Sequence, residues 1–277
     1  MNFTHYPIQV LSDQKRVAHT AAGRFVALAA DAIAARGRFV ALLSGGQTLR
    51  TVYTLLSRPP LASRVDWSRV HLCWSDERCL PPDHIESNYR MAREALLDHV
   101  PIPPDHVHRI RGEFPPTEAA EMYETAIARL LGADGRFDLV LLEMGDDGHI
   151  AALFAGSPAL NERVDEQADE RERTVLPIYA HTLSAWCVTL TVPLINAARY
   201  ILLLAVGVDK ALALERLQAG EPLPAGRVHP TDGHLAWLTD PPAVGWRSSD
   251  LACPVGDGLT FQSQARGRRF QSLRRAT

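Results

Sequence analysis

Residues 39–48 read Phe39-Val40-Ala41-Leu42-Leu43-Ser44-Gly45-Gly46-Gln47-Thr48, five consecutive apolar residues followed by a serine and paired glycines. An unbroken apolar run of strand length marks a strand covered on both faces, and the glycines end it abruptly. Upstream, Val17, Ala21, Phe25, Leu28, Ala29 and Ile33 recur at three- and four-residue spacing. That spacing predicts a helix over 15–35, with Ser12 and Asp13 as caps and Gly37 at its end. Downstream, residues 48–56 resume a helical pattern. Helix, strand, glycine turn, helix is the unit from which the remainder is read.

The unit recurs along the chain. Val70 to Trp74 is a second apolar strand, ending at Ser75-Asp76-Glu77-Arg78 and followed by a helix over 87–98. Residues 118–131 are helical, and the strand from Phe137 to Leu142 delivers Met144-Gly145-Asp146-Asp147-Gly148-His149. Two further strand-like runs lie at 188–192 and 200–206. The second ends at Gly207-Val208-Asp209-Lys210 and feeds a helix over 211–217. Continuous apolar strands separated by helices predict a three-layer α/β fold, a mostly parallel, doubly wound, Rossmann-like sheet with helices on both faces. Such sheets bind ligands at the carboxyl ends of their strands, so the four polar loops are expected to open on one edge. No internal repeat is present. Residues 1–250 read as a single α/β domain and 251–277 as a basic, flexible tail, with arginines crowded between Arg266 and Arg275. The charged stretch from Glu162 to Arg173 is expected to form an exposed loop or frayed helix able to cover the site.

Bulk properties exclude several classes. The 277 residues are 46% hydrophobic and 22% charged, ordinary for a globular protein. The net charge of -3 gives no global attraction to nucleic acid or to an acidic membrane, so an anionic ligand must be captured locally. Cys73, Cys79, Cys187 and Cys253 form no Cys-x-x-Cys pair and are read as reduced packing residues. The amino terminus lacks a basic start followed by an apolar run, and the longest apolar stretch, Ile201 to Val206, is too short to span a bilayer. A cytoplasmic protein is expected. No His/Cys spacing suits a metal, no Gly-x-Ser-x-Gly elbow is present, and no Gly-x-Gly-x-x-Gly follows a strand.

Each loop carries its own chemistry. In Ser44-Gly45-Gly46-Gln47-Thr48, side-chain-free glycines let backbone N–H groups converge at a helix amino terminus, which suits a phosphate. Asp76, Glu77 and Arg78 put charge where a ligand would sit, and the guanidinium of Arg78 suits bidentate anion recognition; the plainer alternative is a surface salt-bridge network. His149 lies two residues from Asp147 in a glycine-flanked turn, so the carboxylate can fix the tautomer of an imidazole that titrates near neutrality. Asp146 is a spacer, and the other histidines, among them His71 and His106, have no comparable setting. Lys210, at the start of a helix, offers a point charge to the phosphate.

These loops, in this order, resemble the 6-phosphogluconolactonase family, within the wider group that includes glucosamine-6-phosphate deaminase. The resemblance spans residues 26–243. It is carried by 43–48, by Trp74-Ser75-Asp76-Glu77-Arg78, by Glu86-Ser87-Asn88-Tyr89, by 143–154 and by Gly207-Val208-Asp209-Lys210. It implies a lactone hydrolase of the oxidative pentose phosphate pathway that needs no cofactor and no metal and acts on a small phosphorylated sugar lactone. Nucleic acid and membrane partners are not expected, and the oligomeric state, monomer or dimer, stays open. It further implies that the glycine loop and Lys210 hold the phosphate, that Asp76 and Arg78 help fix the substrate, and that His149 is the base with Asp147 beside it. The chain departs from the family at Gln47-Thr48-Leu49, where Ser-Thr-Pro is usual, and at Ala155, where a proline is common. Two other readings share the frame: an amino-sugar phosphate deaminase or isomerase using a carboxylate such as Asp76, and a non-catalytic sugar-phosphate sensor. Against the deaminase, Phe154 stands five residues after His149, where the deaminase motif carries an acid, and Arg78 stands where those enzymes place an aromatic.

Overall fold

In a computed structural model describing residues 8–160, 173–245 and 259–261, the apolar run at 39–43 is a strand with every residue buried. The expectations placed on 162–172, and on the arginine-rich stretch at 266–275, lie outside the described residues. The chain runs β1 (Ile8–Val10), α1 (Gln14–Arg36), β2 (Phe39–Leu43), α2 (Gln47–Leu56), β3 (Val70–Trp74), β4 (Asp76–Arg78), α3 (Asn88–Ala95), β5 (Val107–His108) and α4 (Pro116–Leu131). It continues through β6 (Leu139–Glu143), β7 (Val175–Ala180), β8 (Ala185–Leu190), α5 (Val192–Asn196), β9 (Tyr200–Ala205), α6 (Ala211–Gln218), β10 (His234–Thr239) and β11 (Leu259–Phe261).

The main sheet has the order β11-β1-β10-β9-β6-β2-β3-β5. Its pairings are parallel except at the edge, where β11 runs antiparallel to β1. The sheet is therefore doubly wound as expected. With right-handed crossovers, the steps β1 to β2 to β3 to β5 place α1, α2 and α3 on one face, and the return through β6, β9 and β10 places α4, α5 and α6 on the other. Helix α1 starts where the Asp13 side chain accepts from the Arg16 amide at 2.8 Å and stops at Gly37, whose φ of 75° suits glycine. By length and composition α1 is apolar enough to cross a membrane, but Val17, Ala21, Phe25 and Ala29 are fully buried in the protein core. Phe25 packs edge-on against Phe39 of β2, with ring centroids 5.1 Å apart.

Two sequence expectations are corrected. The apolar run at 188–192 does not join the parallel sheet. Residues 185–190 form β8 at the centre of a separate antiparallel sheet, β4-β8-β7, and Val192 already begins α5. Asp76-Glu77-Arg78 is likewise not a loop but β4, the edge of that second sheet. Its antiparallel alternation turns Glu77 inward while Asp76 and Arg78 stay partly exposed.

Away from the strand carboxyl ends, His71, His106 and His108 cluster where β3 meets β5. The His71 and His106 rings stack 3.9 Å apart, and His71 Nδ1 lies 3.1 Å from His108 Nε2. Burial, then the neighbouring His106, His108 and Arg38, holds His71 down to about 4. The folded state therefore refuses a proton that the unfolded chain accepts below about pH 6.5. Stability from this group is complete above that pH and is lost as pH falls toward about 4. Thermal midpoints measured from pH 7 to 4 are expected to fall more steeply for the wild type than for His71→Gln.

Candidate active site

Strand β2 has β3 on one side and β6 on the other, so the direction of winding reverses between β2 and β6. At such a switch point the loops leaving the two strands diverge to opposite faces and open a crevice. A cleft of about 810 Å³ lies there. Of the residues expected from sequence, Ser44, Gly45, Gly46, Gln47, Thr48, Asp76, Arg78, His149 and Lys210 all line it. Asp147 does not; it contacts His149 and positions the ring.

The loop after β6 closes on itself. The Gly148 amide donates to the Gly145 carbonyl at 3.1 Å, and the Gly145 amide donates to the His149 carbonyl at 2.9 Å. Asp147 Oδ1 accepts from the His149 amide at 2.9 Å and lies 2.6 Å from His149 Nδ1. Because an ionised carboxylate only accepts, Nδ1 carries the proton, and in the neutral ring Nε2 is left with the lone pair. Burial alone would raise the Asp147 carboxyl, but hydrogen bonds from the His149 amide and ring outweigh it and hold the group below its ordinary value. Gly145 has no room for a side chain, since a Cβ there would overlap His149 Cε1 and Nδ1. Ala151, two residues on, sits at φ 47°, left-handed backbone that a non-glycine residue adopts only under constraint. The Phe154 ring packs 4.5 Å from the imidazole, centroid to centroid, and walls one side.

The glycine loop is divided between an internal and an open half. Glu143, the last residue of β6, accepts from the Thr48 amide at 3.1 Å, the Leu49 amide at 3.2 Å and the Thr48 hydroxyl at 3.0 Å. It thus caps α2 from another strand. Gly46, at φ 115°, must lack a Cβ because one would overlap the Glu143 carboxylate. Burial raises the Glu143 carboxyl, against these donors and the charge of Lys210. The amides of Gly45, Gly46 and Gln47 make no hydrogen bond among the described residues and border the cleft. Lys210 Nζ, 2.9 Å from Asp209 Oδ2, and Lys15 of α1 line the same cleft.

On the opposite wall, Glu77 is not part of a surface salt-bridge network. It is buried and accepts from the amides of Arg78, Asn88 and Tyr89 and from the Ser87 hydroxyl, all at 2.8–2.9 Å, capping α3. Burial pushes its carboxyl up to about 7, while these four donors favour the ionised form. Asn88 donates to Asp76 Oδ2 at 3.1 Å and presses on Gly45, where a Cβ would overlap its side chain. Arg78 stands at the rim, its guanidinium donating to the Glu86 carbonyl at 2.7 Å. Among the described residues no His/Cys/Asp/Glu group is arranged to hold a metal. Sequence reasoning assigned no site role to Glu143, Asn88, Ser75 or Lys15. The signal for Ser75 was its place beside Asp76, and for Asn88 its place in the quoted motif Glu86-Ser87-Asn88-Tyr89.

The family model described as glucosamine-6-phosphate isomerases/6-phosphogluconolactonase matches residues 12–237. A probable 6-phosphogluconolactonase 3 of rice (Oryza sativa subsp. indica), named as chloroplastic, is 35% identical over 238 residues, covering 80% of this chain and 70% of its own. The structure of 6-phosphogluconolactonase from Trypanosoma cruzi superposes with a TM-score of 0.74 at 28% identity, over 91% of this chain and 99% of its own. That of the Thermotoga maritima 6-phosphogluconolactonase gives 0.71 at 28% identity, over 85% and 99%.

The tight fit at Gly145 yields a direct test. Gly145→Ala is expected to drive its Cβ against the imidazole, displace the ring and break the Nδ1 contact with Asp147. Nitrogen-15 NMR of the ring should then report mixed tautomers, where the wild type reports Nδ1–H alone.

Proposed function

The chain belongs to the glucosamine-6-phosphate isomerase/6-phosphogluconolactonase family, and we propose that it is a 6-phosphogluconolactonase, opening 6-phospho-D-glucono-1,5-lactone to 6-phospho-D-gluconate. The observation that carries the reading is the His149–Asp147 pair, 2.6 Å apart, with His149 facing the same cleft as the open amides of Gly45, Gly46 and Gln47 and the ammonium of Lys210. A base and an anion site share one pocket.

In this scheme the phosphate rests on the open amides with Lys210 as its point charge, and Thr48, which holds Glu143, completes the rim. Arg78 and Asp76 face the sugar acid. His149 Nε2 takes a proton from water as the water oxygen bonds to C1, and the carbonyl becomes an oxyanion. The oxyanion then collapses, the bond from C1 to the ring oxygen breaks, and the imidazolium returns its proton to that oxygen. Asp147 keeps the ring in the right tautomer and stabilises its charged form. The steps draw on side chains and backbone alone. Phe154, packed on His149, stands where the deaminase motif carries an acid and favours hydrolysis over amino-sugar chemistry. A cytoplasmic setting belongs to the same proposal, supported by the free thiols of Cys73, Cys79 and Cys187.

The test follows the disappearance of freshly generated lactone by NMR against the spontaneous background. His149→Ala is expected to lose about 10²- to 10⁴-fold in kcat, the usual contribution of a general base, while still binding 6-phosphogluconate. Lys210→Ala should raise KM more than it lowers kcat. A wild type no faster than background would end the lactonase reading.

A further inference from the structure

Four oxygens form a line from the main sheet to the cleft: the Leu141 carbonyl, Ser44 Oγ, Ser75 Oγ and Asp76 Oδ1. Each lies 2.7 Å from the next. All three gaps are O–H···O hydrogen-bond lengths, and each needs one proton. The carbonyl has none to give, so the single proton of Ser44 goes to Leu141. Ser44 must then accept from Ser75, whose single proton is thereby used. Two hydroxyl protons cannot fill three gaps. With Asp76 ionised, one pair of oxygens would face each other lone pair to lone pair, and both serines are buried.

We propose that Asp76 is a neutral carboxylic acid in the working enzyme, donating its proton to Ser75, and that it serves the reaction as an uncharged group and not as a base. The proposal builds on the lactonase reading. The other oxygen, Oδ2, accepts from Asn88 at 3.1 Å, as the carbonyl half of a neutral acid should. Arg78 of β4 and His149 of the loop after β6 face the carboxyl and favour its charge, while Glu77 of β4, Cys187 of β8, Tyr53 of α2 and Tyr123 of α4 also lie within its field. Burial is the leading influence and raises the group.

Neutrality matters for function in two ways. A carboxylate at this wall would repel both an anionic substrate and the oxyanion that forms at C1, and stabilising developing charge is the largest service such a site performs. An uncharged Asp76 also withholds the base that removal of a proton from carbon would require. Ser44 and Ser75 therefore bias a shared frame toward hydrolysis.

The experiment is infrared difference spectroscopy of wild type minus Asp76→Asn from pH 6 to 9, in which carboxyls other than Asp76 and Glu77 cancel and Glu77 is recognised by its change through about pH 7. A carbonyl-stretch band of a protonated acid is expected, and it should shift in frequency in Ser75→Ala, which removes the acceptor of its proton. In turnover, Asp76→Asn should retain at least about tenfold more kcat than Asp76→Ala, because the carboxamide N–H replaces the acid O–H toward Ser75. Asp76→Ala should lose at least about tenfold, since it empties the relay and leaves buried hydroxyls unpaired. Absence of the band, or a kcat in Asp76→Asn no higher than in Asp76→Ala with 6-phosphogluconate still bound, overturns the proposal. The band reads charge without turnover, so it decides this point whether or not the lactonase reading stands.

Discussion

Glu143 is the strap on which the site depends. It leaves the end of β6, crosses the switch point and takes the amides of Thr48 and Leu49 in the first turn of α2, which follows β2. A carboxylate at a helix amino terminus is stabilising by about 0.3–1 kcal/mol when exposed and up to about 2 kcal/mol when partly buried. Its larger effect is geometric. The loop that carries His149 begins at the next residue, so one side chain fixes the distance between the imidazole and the glycine loop. Gly46 exists in this form because the strap passes where its side chain would be.

Glu77 repeats the device on the other wall. It seats α3 through four donors and thereby aims Asn88, whose amide reaches Asp76 while its oxygen presses on Gly45. Helices α2 and α3 are thus both held at the cleft by carboxylates delivered from strands. The protein fills the amino termini of α1, α2 and α3 with its own carboxylates and, among the described residues, leaves open the amides of Gly45, Gly46 and Gln47. An internal anion beside an external one is tolerable because Lys210 and Lys15 line the same cleft.

What could be read from the sequence followed apolar continuity. Strands β2, β3, β6 and β9 are buried on both faces, and their unbroken runs announce them. β1 and β5, at three and two residues, are too short to show a period, and β10 begins with exposed and half-buried residues that mask its apolar end. β7 carries Pro177, which argues against a central strand; it is in fact an edge, where a missing N–H is harmless. Without β7, the run in β8 looked like one more parallel strand. At the site, glycine-flanked polar residues at strand ends singled out His149, Asp147 and the glycine loop, and the fold brings His149 and that loop to one cleft with Asp147 against the imidazole. Glu143 stayed silent because its partners, Thr48 and Leu49, lie 95 and 94 residues away. Ser44 and Ser75 read as ordinary turn residues until the fold set their hydroxyls side by side.

The second sheet shares no strand with the first, yet the turn between β7 and β8 brings Leu183 to the cleft. The glycine-loop side of the cleft is therefore built by the parallel frame and part of the far wall by an appended hairpin. Lengthening or trimming that hairpin would alter the room in the cleft while the open amides of the glycine loop stay in register. The size of the cleft and the placement of its polar groups are thus set by separate parts of the fold.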